Sequence, residues 1–243
     1  MKTGPAEPGS MRCVGVLGGM GPLAGATYVL RLVQLTPAAR DQEHIPVILV
    51  NDPSVPDRTA ARLAGGASPL PAMVRSIETL VKAGADCIAI PCNTAHLWFD
   101  ELQKASAKPL LHIVEAVIQD LCRHDIHQGT IGILGTPATL KFGLYQNMLT
   151  AAGYTPIVPD QDEIQRLLVP AIAAVKANQL EAAYDPLIEA VHALERKGAQ
   201  AAVLGCTELP LALPQARRAQ LGIVLTDSID ALALSAIDWV RGD

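Results

Sequence analysis

The sequence is poor in aromatic residues and lacks the long apolar and basic runs that mark membrane and nucleic-acid-binding proteins. Only 3% of its 243 residues are Phe, Trp or Tyr, while half are hydrophobic, so we expect an aliphatic core rich in alanine. No apolar stretch is long enough to span a bilayer, and the net charge of −5 argues against binding to nucleic-acid phosphates. We therefore expect neither a membrane nor a nucleic acid as a partner.

Cysteine is also scarce. The five cysteines cannot all form disulfides, and their spacing is not that of a disulfide framework, so we expect free thiols and a cytoplasmic protein. The first ten residues are rich in Gly and Pro and contain no apolar segment like that of a secretory signal. The sequence therefore predicts a disordered extension at residues 1–10 and a fold that starts at Met11.

Strand and helix patterns alternate along the whole chain. Short apolar runs predict strands at 12–18, 47–51, 87–91, 110–113, 130–134, 155–158, 201–205 and 223–225. Helical patterns lie at 24–33, 71–82, 95–104, 114–123, 140–152, 164–177, 180–197 and 228–240. Buried strands joined by helical crossovers are typical of parallel sheets covered on both faces, so the predicted fold class is α/β.

Two segments of the chain are near-copies, and each contains a cysteine at the same place. Residues 82–94 and 196–208 match at an offset of 114 (206 − 92), and each predicts a helix end capped by Gly, a buried strand and a polar turn. Residues 15–18 and 132–135 match at an offset of 117 (132 − 15). The repeated order of these matches predicts two homologous halves.

A weaker third match pairs residues 112–116 with 225–229 at an offset of 113 (225 − 112). Together the matches predict two pseudo-symmetric domains, each a roughly four-stranded, mostly parallel sheet flanked by helices. We expect the first domain to comprise residues 11–114 plus 226–243 and the second residues 115–225. Ligands of open parallel sheets bind at the carboxyl ends of the strands, so we expect the active site in the interdomain cleft.

Cys92 and Cys206 occupy equivalent positions at the carboxyl ends of two predicted strands. The residues that follow them, Asn93-Thr94 and Thr207-Glu208, are typical of a helix N-terminus. A thiol at such a position has a lowered pKa, so we expect both cysteines to be reactive. The remaining three cysteines are interpreted as small buried hydrophobic residues: Cys13, Cys87 and Cys122.

Two opposed thiols suit proton transfer better than a disulfide or a metal site. A Cys-x-x-Cys pair is absent, and Cys92 with His96 offers two metal ligands with no third nearby, so no metal is expected. One thiolate can instead remove a proton from one face of a carbon acid while the other thiol protonates the opposite face. His96 either packs and caps its helix or tunes Cys92.

Two loops that follow predicted strands are candidates for substrate binding. The loop at 18–22 contains Met20 and does not match the dinucleotide motif Gly-x-Gly-x-x-Gly, so we expect its backbone to approach a small anionic substrate. The Pro-bounded loop at 51–59 carries Asn51 and Arg58. An arginine can clamp a carboxylate through two parallel hydrogen bonds.

Four motifs together resemble the aspartate racemase branch of the aspartate/glutamate racemase superfamily: residues 17–22, 51–59, 91–96 and 205–211. The resemblance runs from about Met11 to the C-terminus. It implies a cofactor-independent enzyme that uses two cysteines as acid and base, with two pseudo-symmetric α/β domains. It also implies a homodimer and a C-terminal helix that packs back on the first domain. Gly18-Gly19-Met20 stands where glutamate racemases carry an Asp-Ser pair, which disfavours that branch.

The same resemblance assigns roles to individual residues. Cys92 and Cys206 would transfer the protons, and Arg58 and Lys176 would bind the distal carboxylate of the substrate, although Asn178 replaces a Gly usual after the lysine. The groups that would hold the α-carboxylate and ammonium are Asn93, Thr94 and Thr207. The expected substrate-binding residues are Met20, Asn51, Arg58, Asn93, Thr94, Lys176, Thr207 and Glu208.

These observations predict an enzyme that interconverts L- and D-aspartate without pyridoxal phosphate or another cofactor. Several alternatives stay open from the sequence. One is a broader aspartate/glutamate racemase or a related dicarboxylate isomerase. Another is a protein without catalytic activity that binds dicarboxylates or senses redox state through its thiols.

Overall fold

The computed structural model describes residues 11–242, which form two four-stranded parallel sheets with helices packed around them. The predicted extension at 1–10 lies outside the described residues. The strands are β1 (Val14–Gly18), β2 (Val47–Asn51), β3 (Cys87–Ala89), β4 (Leu110–Leu111), β5 (Gly129–Gly135), β6 (Tyr154–Ile157), β7 (Ala201–Gly205) and β8 (Val224–Asp227). Each of the eight predicted strands overlaps one of these.

The helices follow the predicted alternation, with short additional helices in the connections. They are α1 (Pro22–Leu35), α2 (Arg58–Leu63), α3 (Leu70–Lys82), α4 (Phe99–Ala105), α5 (Ile113–Arg123), α6 (Pro137–Lys141), α7 (Leu144–Ala151), α8 (Gln161–Glu163), α9 (Val169–Lys176), α10 (Leu180–Arg196), α11 (Leu209–Ala212), α12 (Gln215–Arg218) and α13 (Ser228–Arg241). Two 3₁₀ segments, Asp41–Glu43 and Thr94–Trp98, and one π segment, Ile164–Leu168, complete the list.

The two sheets have the same strand order, which confirms the α/β fold. The first sheet runs β2-β1-β3-β4 and the second β6-β5-β7-β8, with all pairs parallel. The central strands β1 and β7 are buried throughout, because helices cover both faces. The strands that precede Cys92 and Cys206, β3 and β7, occupy the same position in their respective sheets.

Glycine ends the helix that precedes each of these two strands. Gly84 follows α3 with φ of +104°, and Gly198 follows α10 with φ of +90°. Only glycine adopts such positive φ values without a steric penalty, so the repeated glycine ends each helix and turns the chain into the next strand.

Three sequence predictions about local structure were wrong. The single helix expected at 140–152 is interrupted at Gly143, whose φ of +69° does not fit a helix, so α6 and α7 are separate. Residues 58 and 59, predicted to belong to the loop at 51–59, form the first residues of α2, which the Asp57 side chain caps. Cys122, interpreted as buried, is exposed near the end of α5, and Cys13 is only half-buried.

The C-terminal helix joins distant parts of the fold. Helix α13 packs against α1 and α5. Arg31 on α1 holds Asp230 on α13 through two hydrogen bonds of 2.6 and 2.8 Å, a bidentate ion pair. Among the helices of residues 11–242, none is long and apolar enough to cross a membrane.

Candidate active site

The two cysteines of the repeat line one cavity. Cys92 lies just beyond the carboxyl end of β3, and Cys206 directly follows β7. Both are buried, with 5% and 3% of their surfaces exposed. The cavity has an empty volume of about 290 Å³, and its lining consists of Met20, Asp57, Arg58, Thr59, Cys92, Asn93, Thr94, Thr136, Lys176, Cys206, Thr207 and Glu208. The equivalent strands of the two sheets thus each bring a thiol to a common space.

Glu208 links the second cysteine to the first sheet. The Cys206 thiol donates a 3.0 Å hydrogen bond to Oε2 of Glu208, and the backbone N–H of Gly21 donates to Oε1 at 3.2 Å. Gly21 lies in the loop that follows β1 and is the residue directly before α1. The Glu208 carboxylate therefore holds Cys206 in its protonated form and spans the cleft.

The expectation that both thiols have a lowered pKa was wrong. Burial raises the pKa of Cys92, an effect that Arg58 partly opposes. Burial raises the pKa of Cys206 well above its ordinary value, and the Glu208 carboxylate raises it further. A 3₁₀ segment follows Cys92 and the four-residue α11 follows Cys206, and neither offsets the effect of burial on the thiols.

Arg58 is the buried cation of the site. Its residue is 8% exposed, and its Nη1 donates to the carbonyl oxygens of Val55 and Pro56 at 3.1 and 2.9 Å. Its Nε is buried and has no hydrogen-bond partner among the described residues. A buried donor without a partner is unfavourable, so this N–H is well suited to an anion within the cavity.

Lys176 contributes the second cation, at the end of α9. Its Nζ lies 3.8 Å from Oδ2 of Asp57, and both side chains are partly exposed. Lys176 also opposes the rise in the pKa of Cys206. The two cations thus lie near different thiols, Arg58 near Cys92 and Lys176 near Cys206.

Threonine hydroxyls connect the two sheets on another side of the cavity. Thr94 Oγ1 lies 2.9 Å from Thr136 Oγ1 and 3.1 Å from Thr139 Oγ1, and all three residues are buried. Thr136 caps α6 by accepting from the backbone N–H of Thr139. Thr207 lies in the same cavity, and its hydroxyl is 3.4 Å from Glu208. The site therefore has hydroxyl donors from both sheets.

His96 anchors backbone rather than contacting the Cys92 thiol. Its Nδ1 is 2.9 Å from the Cys92 carbonyl oxygen, and its Nε2 accepts from the Ile113 N–H at 3.1 Å. Burial lowers the pKa of His96 to about 3, so the ring is neutral with its proton on Nδ1. The packing interpretation of His96 fits these contacts.

Asn51 lies apart from the other predicted site residues. Its side-chain amide donates to the Pro22 carbonyl oxygen at 3.2 Å, beside the loop that carries Met20, and it does not line the cavity. The remaining predicted residues all line the cavity. Thr136, which directly follows β5, was missing from the predicted site residues. Because β5 is the repeat counterpart of β1, the rule that ligands bind at the carboxyl ends of the strands could have been applied here as well.

Comparison with known proteins identifies the family. A model of the Asp/Glu/hydantoin racemase family matches residues 17–236. The chain belongs to this family. The broad specificity amino-acid racemase of Bacillus subtilis (strain 168) is 28% identical over 232 residues, covering 92% of this chain and 96% of the relative. A glutamate racemase from Aquifex aeolicus is 28% identical over 195 residues, covering 74% and 72%.

Solved structures agree with this Asp/Glu/hydantoin racemase assignment. Picrophilus torridus aspartate racemase is 30% identical, with a TM-score of 0.82, and the match covers 95% of this chain and 94% of that one. An aspartate racemase homologue from Pyrococcus horikoshii shares the fold at 22% identity, with a TM-score of 0.75, covering 95% and 100%. Family membership makes the protein an isomerase that acts on small amino-acid substrates. Within residues 11–242, no cluster of three or more His, Cys, Asp or Glu could hold a metal ion.

Proposed function

We propose that this racemase interconverts L- and D-aspartate by proton transfer at Cα, with Cys92 on one face of the carbon and Cys206 on the other. The observation that carries the proposal is that one small buried cavity contains both thiols, each supplied by the equivalent strand of a different sheet. A carbon acid held between them is accessible to one base and one acid on opposite faces, which is what inversion requires.

The residues around the thiols support a dicarboxylate substrate. Arg58 and Lys176 lie on the same cavity, and two cations there suit the distal carboxylate of a dicarboxylate substrate. Asn93, Thr94 and Thr207 supply neutral hydrogen-bonding groups at the same cavity. Donors aimed at the α-carboxylate stabilise the enediolate-like charge that forms when the Cα proton leaves.

The charges near the thiols suggest which one starts as the base. Arg58 favours the thiolate of Cys92, although Glu208 opposes it there, whereas Cys206 donates directly to Glu208, which favours its protonated thiol. The Cys92 thiolate would take the Cα proton, and the electron pair would pass into the carboxylate. Cys206 would then deliver its S–H proton to the opposite face of the carbon. After one turnover Cys92 is the thiol and Cys206 the thiolate. The reverse reaction starts from that state.

A broader amino-acid specificity is the second candidate. A larger opening of about 1040 Å³ adjoins the cavity and shares Asp57, Arg58, Lys176 and Glu208 with it. Its other walls are mostly apolar and include Pro22, Leu23, Pro53, Val55, Val175 and Leu211. Apolar walls next to the site would accept an aliphatic side chain, and the Bacillus subtilis relative is named as a broad specificity enzyme.

Incubation with L-aspartate, L-glutamate and L-alanine in heavy water tests both candidates. We expect α-deuteration and formation of the D-isomer with L-aspartate, and much slower reaction with L-alanine. Comparable rates for all three would favour the broader racemase. Exchange with none of them would contradict the proposed function.

The two-thiol mechanism is tested by Cys92→Ala and Cys206→Ala. We expect each variant to lose at least ~1000-fold in racemisation, because each removes one of the two proton-transfer groups. Cys122→Ala is the matched control, since this thiol is exposed on α5 away from the cavity, and its rate should not change. Racemisation that survives either cavity substitution would refute the mechanism.

The homodimer, the cytoplasmic location and the domain boundaries remain predictions from the sequence. Sedimentation at several protein concentrations would test the dimer.

A further inference from the structure

Tyr145 contacts the neighbours of both cysteines. It lies on α7, close to the second sheet, and is fully buried. Its hydroxyl donates a 2.6 Å hydrogen bond to Oδ1 of Asn93, the residue after Cys92. Its ring packs on Gly205, the residue before Cys206, so closely that a Cβ built at Gly205 would lie 2.9 Å from Cε2 of the tyrosine. One side chain thus touches both cysteine motifs.

Two hydrogen bonds determine how the Asn93 amide is oriented. Asn93 Nδ2 donates to Ser228 Oγ at 2.8 Å, and that hydroxyl donates to the Leu204 carbonyl oxygen at 3.1 Å. The Ser228 hydroxyl has only this hydrogen to donate, so it must accept from the amide nitrogen, and Oδ1 is left to accept from Tyr145. One Nδ2 hydrogen has no partner in this network, on a residue that lines the cavity. Asn93 therefore has a spare hydrogen-bond donor on a side chain that lines the cavity.

The internal repeat supplies a tyrosine for comparison. Tyr28 on α1 stands at the same offset of 117 from Tyr145 (145 − 28) as the glycine motifs, and it is also fully buried. The Tyr28 hydroxyl has no hydrogen-bond partner among the described residues, which is unfavourable for a buried polar group. Both positions thus use the ring for packing, and only the hydroxyl at position 145 has a polar contact with the site.

We propose that Tyr145 is a positioning residue that acts through Asn93. The tyrosine hydroxyl holds the amide so that its free N–H points to the α-carboxylate of the amino-acid substrate. The ring keeps the two cysteine motifs at a fixed separation. This inference rests on the proposed racemase function, because it concerns the group that Asn93 would bind there.

A double-mutant cycle of Tyr145→Phe and Asn93→Ala tests the proposal on the full-length enzyme. The phenylalanine keeps the ring against Gly205 and removes only the hydroxyl. We expect Tyr145→Phe to raise the KM for L-aspartate about 10-fold and lower kcat less than about 3-fold. The Asn93 N–H would already bond the α-carboxylate in the bound substrate, and the threonine donors would still stabilise the charge that forms at proton transfer. In the Asn93→Ala background the same change should have almost no effect, because its target is gone.

Tyr28→Phe is the control and should leave KM and kcat unchanged, since its hydroxyl has no partner to lose. Additive effects in the cycle, or an unchanged KM in Tyr145→Phe, would overturn the proposal. If Tyr145→Phe does not fold, Ser228→Ala removes the other tether of the amide, and we expect a KM increase of about 3-fold. An unchanged KM in Ser228→Ala would then contradict the proposal that the orientation of the Asn93 amide matters for substrate binding. Absence of racemisation by the wild-type enzyme would instead refute the proposed function.

Discussion

At the scale of single residues, the site is asymmetric although the scaffold is repeated. Cys92 lies near the Arg58 guanidinium, whereas Cys206 donates to the Glu208 carboxylate. Glu208 stands at the motif position that Thr94 occupies after Cys92. The threonine bonds other hydroxyls, whereas the glutamate bonds the thiol. Two chemically identical groups therefore have different proton affinities, which separates the initial acid from the initial base.

Replacing Glu208 should shift the pH dependence of racemisation. The carboxylate raises the pKa of Cys206, so Glu208→Gln should lower that pKa. Where Cys206 acts as the base, the acidic limb of kcat/KM moves to lower pH; where it acts as the acid, the alkaline limb does. The limb set by Cys92, whose pKa Glu208 also raises, should move less, since only Cys206 hydrogen-bonds the carboxylate. Profiles measured from both enantiomers would show this.

The exposed Glu181, which pairs with Arg217, provides the control for that measurement, because Glu181→Gln should leave both limbs in place. Profiles of Glu208→Gln that coincide with the wild type would show that the carboxylate does not control Cys206.

At the scale of elements, the repeated glycines are explained by close packing of helix and loop segments on the central strands. A Cβ at Gly15 on β1 would lie 2.7 Å from Ala85 Cβ, and one at Gly132 on β5 would lie 2.7 Å from Leu194 Cδ1. Ala85 has no flexible atoms to move away, whereas a rotamer change moves Leu194 Cδ1 and leaves only the milder contact with Leu194 Cβ at 3.1 Å. The same motif is therefore needed in both halves, more strictly in the first.

Alanine substitutions should show this difference in stability. We expect Gly15→Ala to lower the free energy of unfolding by about 2–3 kcal/mol and Gly132→Ala by about 1 kcal/mol, as overpacked cores do. Urea unfolding measures both values. Gly222→Ala, whose Cβ would meet only ordinary contact at 3.6 Å, should change stability little. A loss for Gly132→Ala that equals or exceeds that of Gly15→Ala would contradict the packing argument.

At the scale of the whole molecule, the cavity is formed by polar contacts that cross between the two sheets. Gly21 meets Glu208, Thr94 meets Thr136, and Asp57 lies beside Lys176. Each contact joins a residue at one sheet to a residue at the other. A dicarboxylate bound to Arg58 and Lys176 would add a further link across the cleft.

Removing Lys176 should therefore discriminate between substrates. We expect Lys176→Gln to raise the KM for L-aspartate about 5-fold, because one cation for a carboxylate is lost, and to change the slow reaction of L-alanine less than 2-fold. We expect only this moderate rise in KM because the lysine side chain is partly exposed, which weakens its ion pairs. Lys141→Gln, on α6 outside the cavity lining, is the control. Equal losses for both amino acids would argue against a role in binding the second carboxylate.

The amino-acid sequence alone was sufficient for the fold class, the eight strands and the two cysteines, since apolar periodicity and the repeat are local patterns. The motifs that resemble the racemase family also pointed to Arg58, Asn93 and Thr207, which line the cavity of the folded chain. The direction of the cysteine pKa shifts, the unpartnered Nε of Arg58 and the link from Tyr145 to Asn93 required the folded chain. Desolvation and hydrogen-bond partners depend on residues far apart in the chain, and no local pattern reports which of them meet.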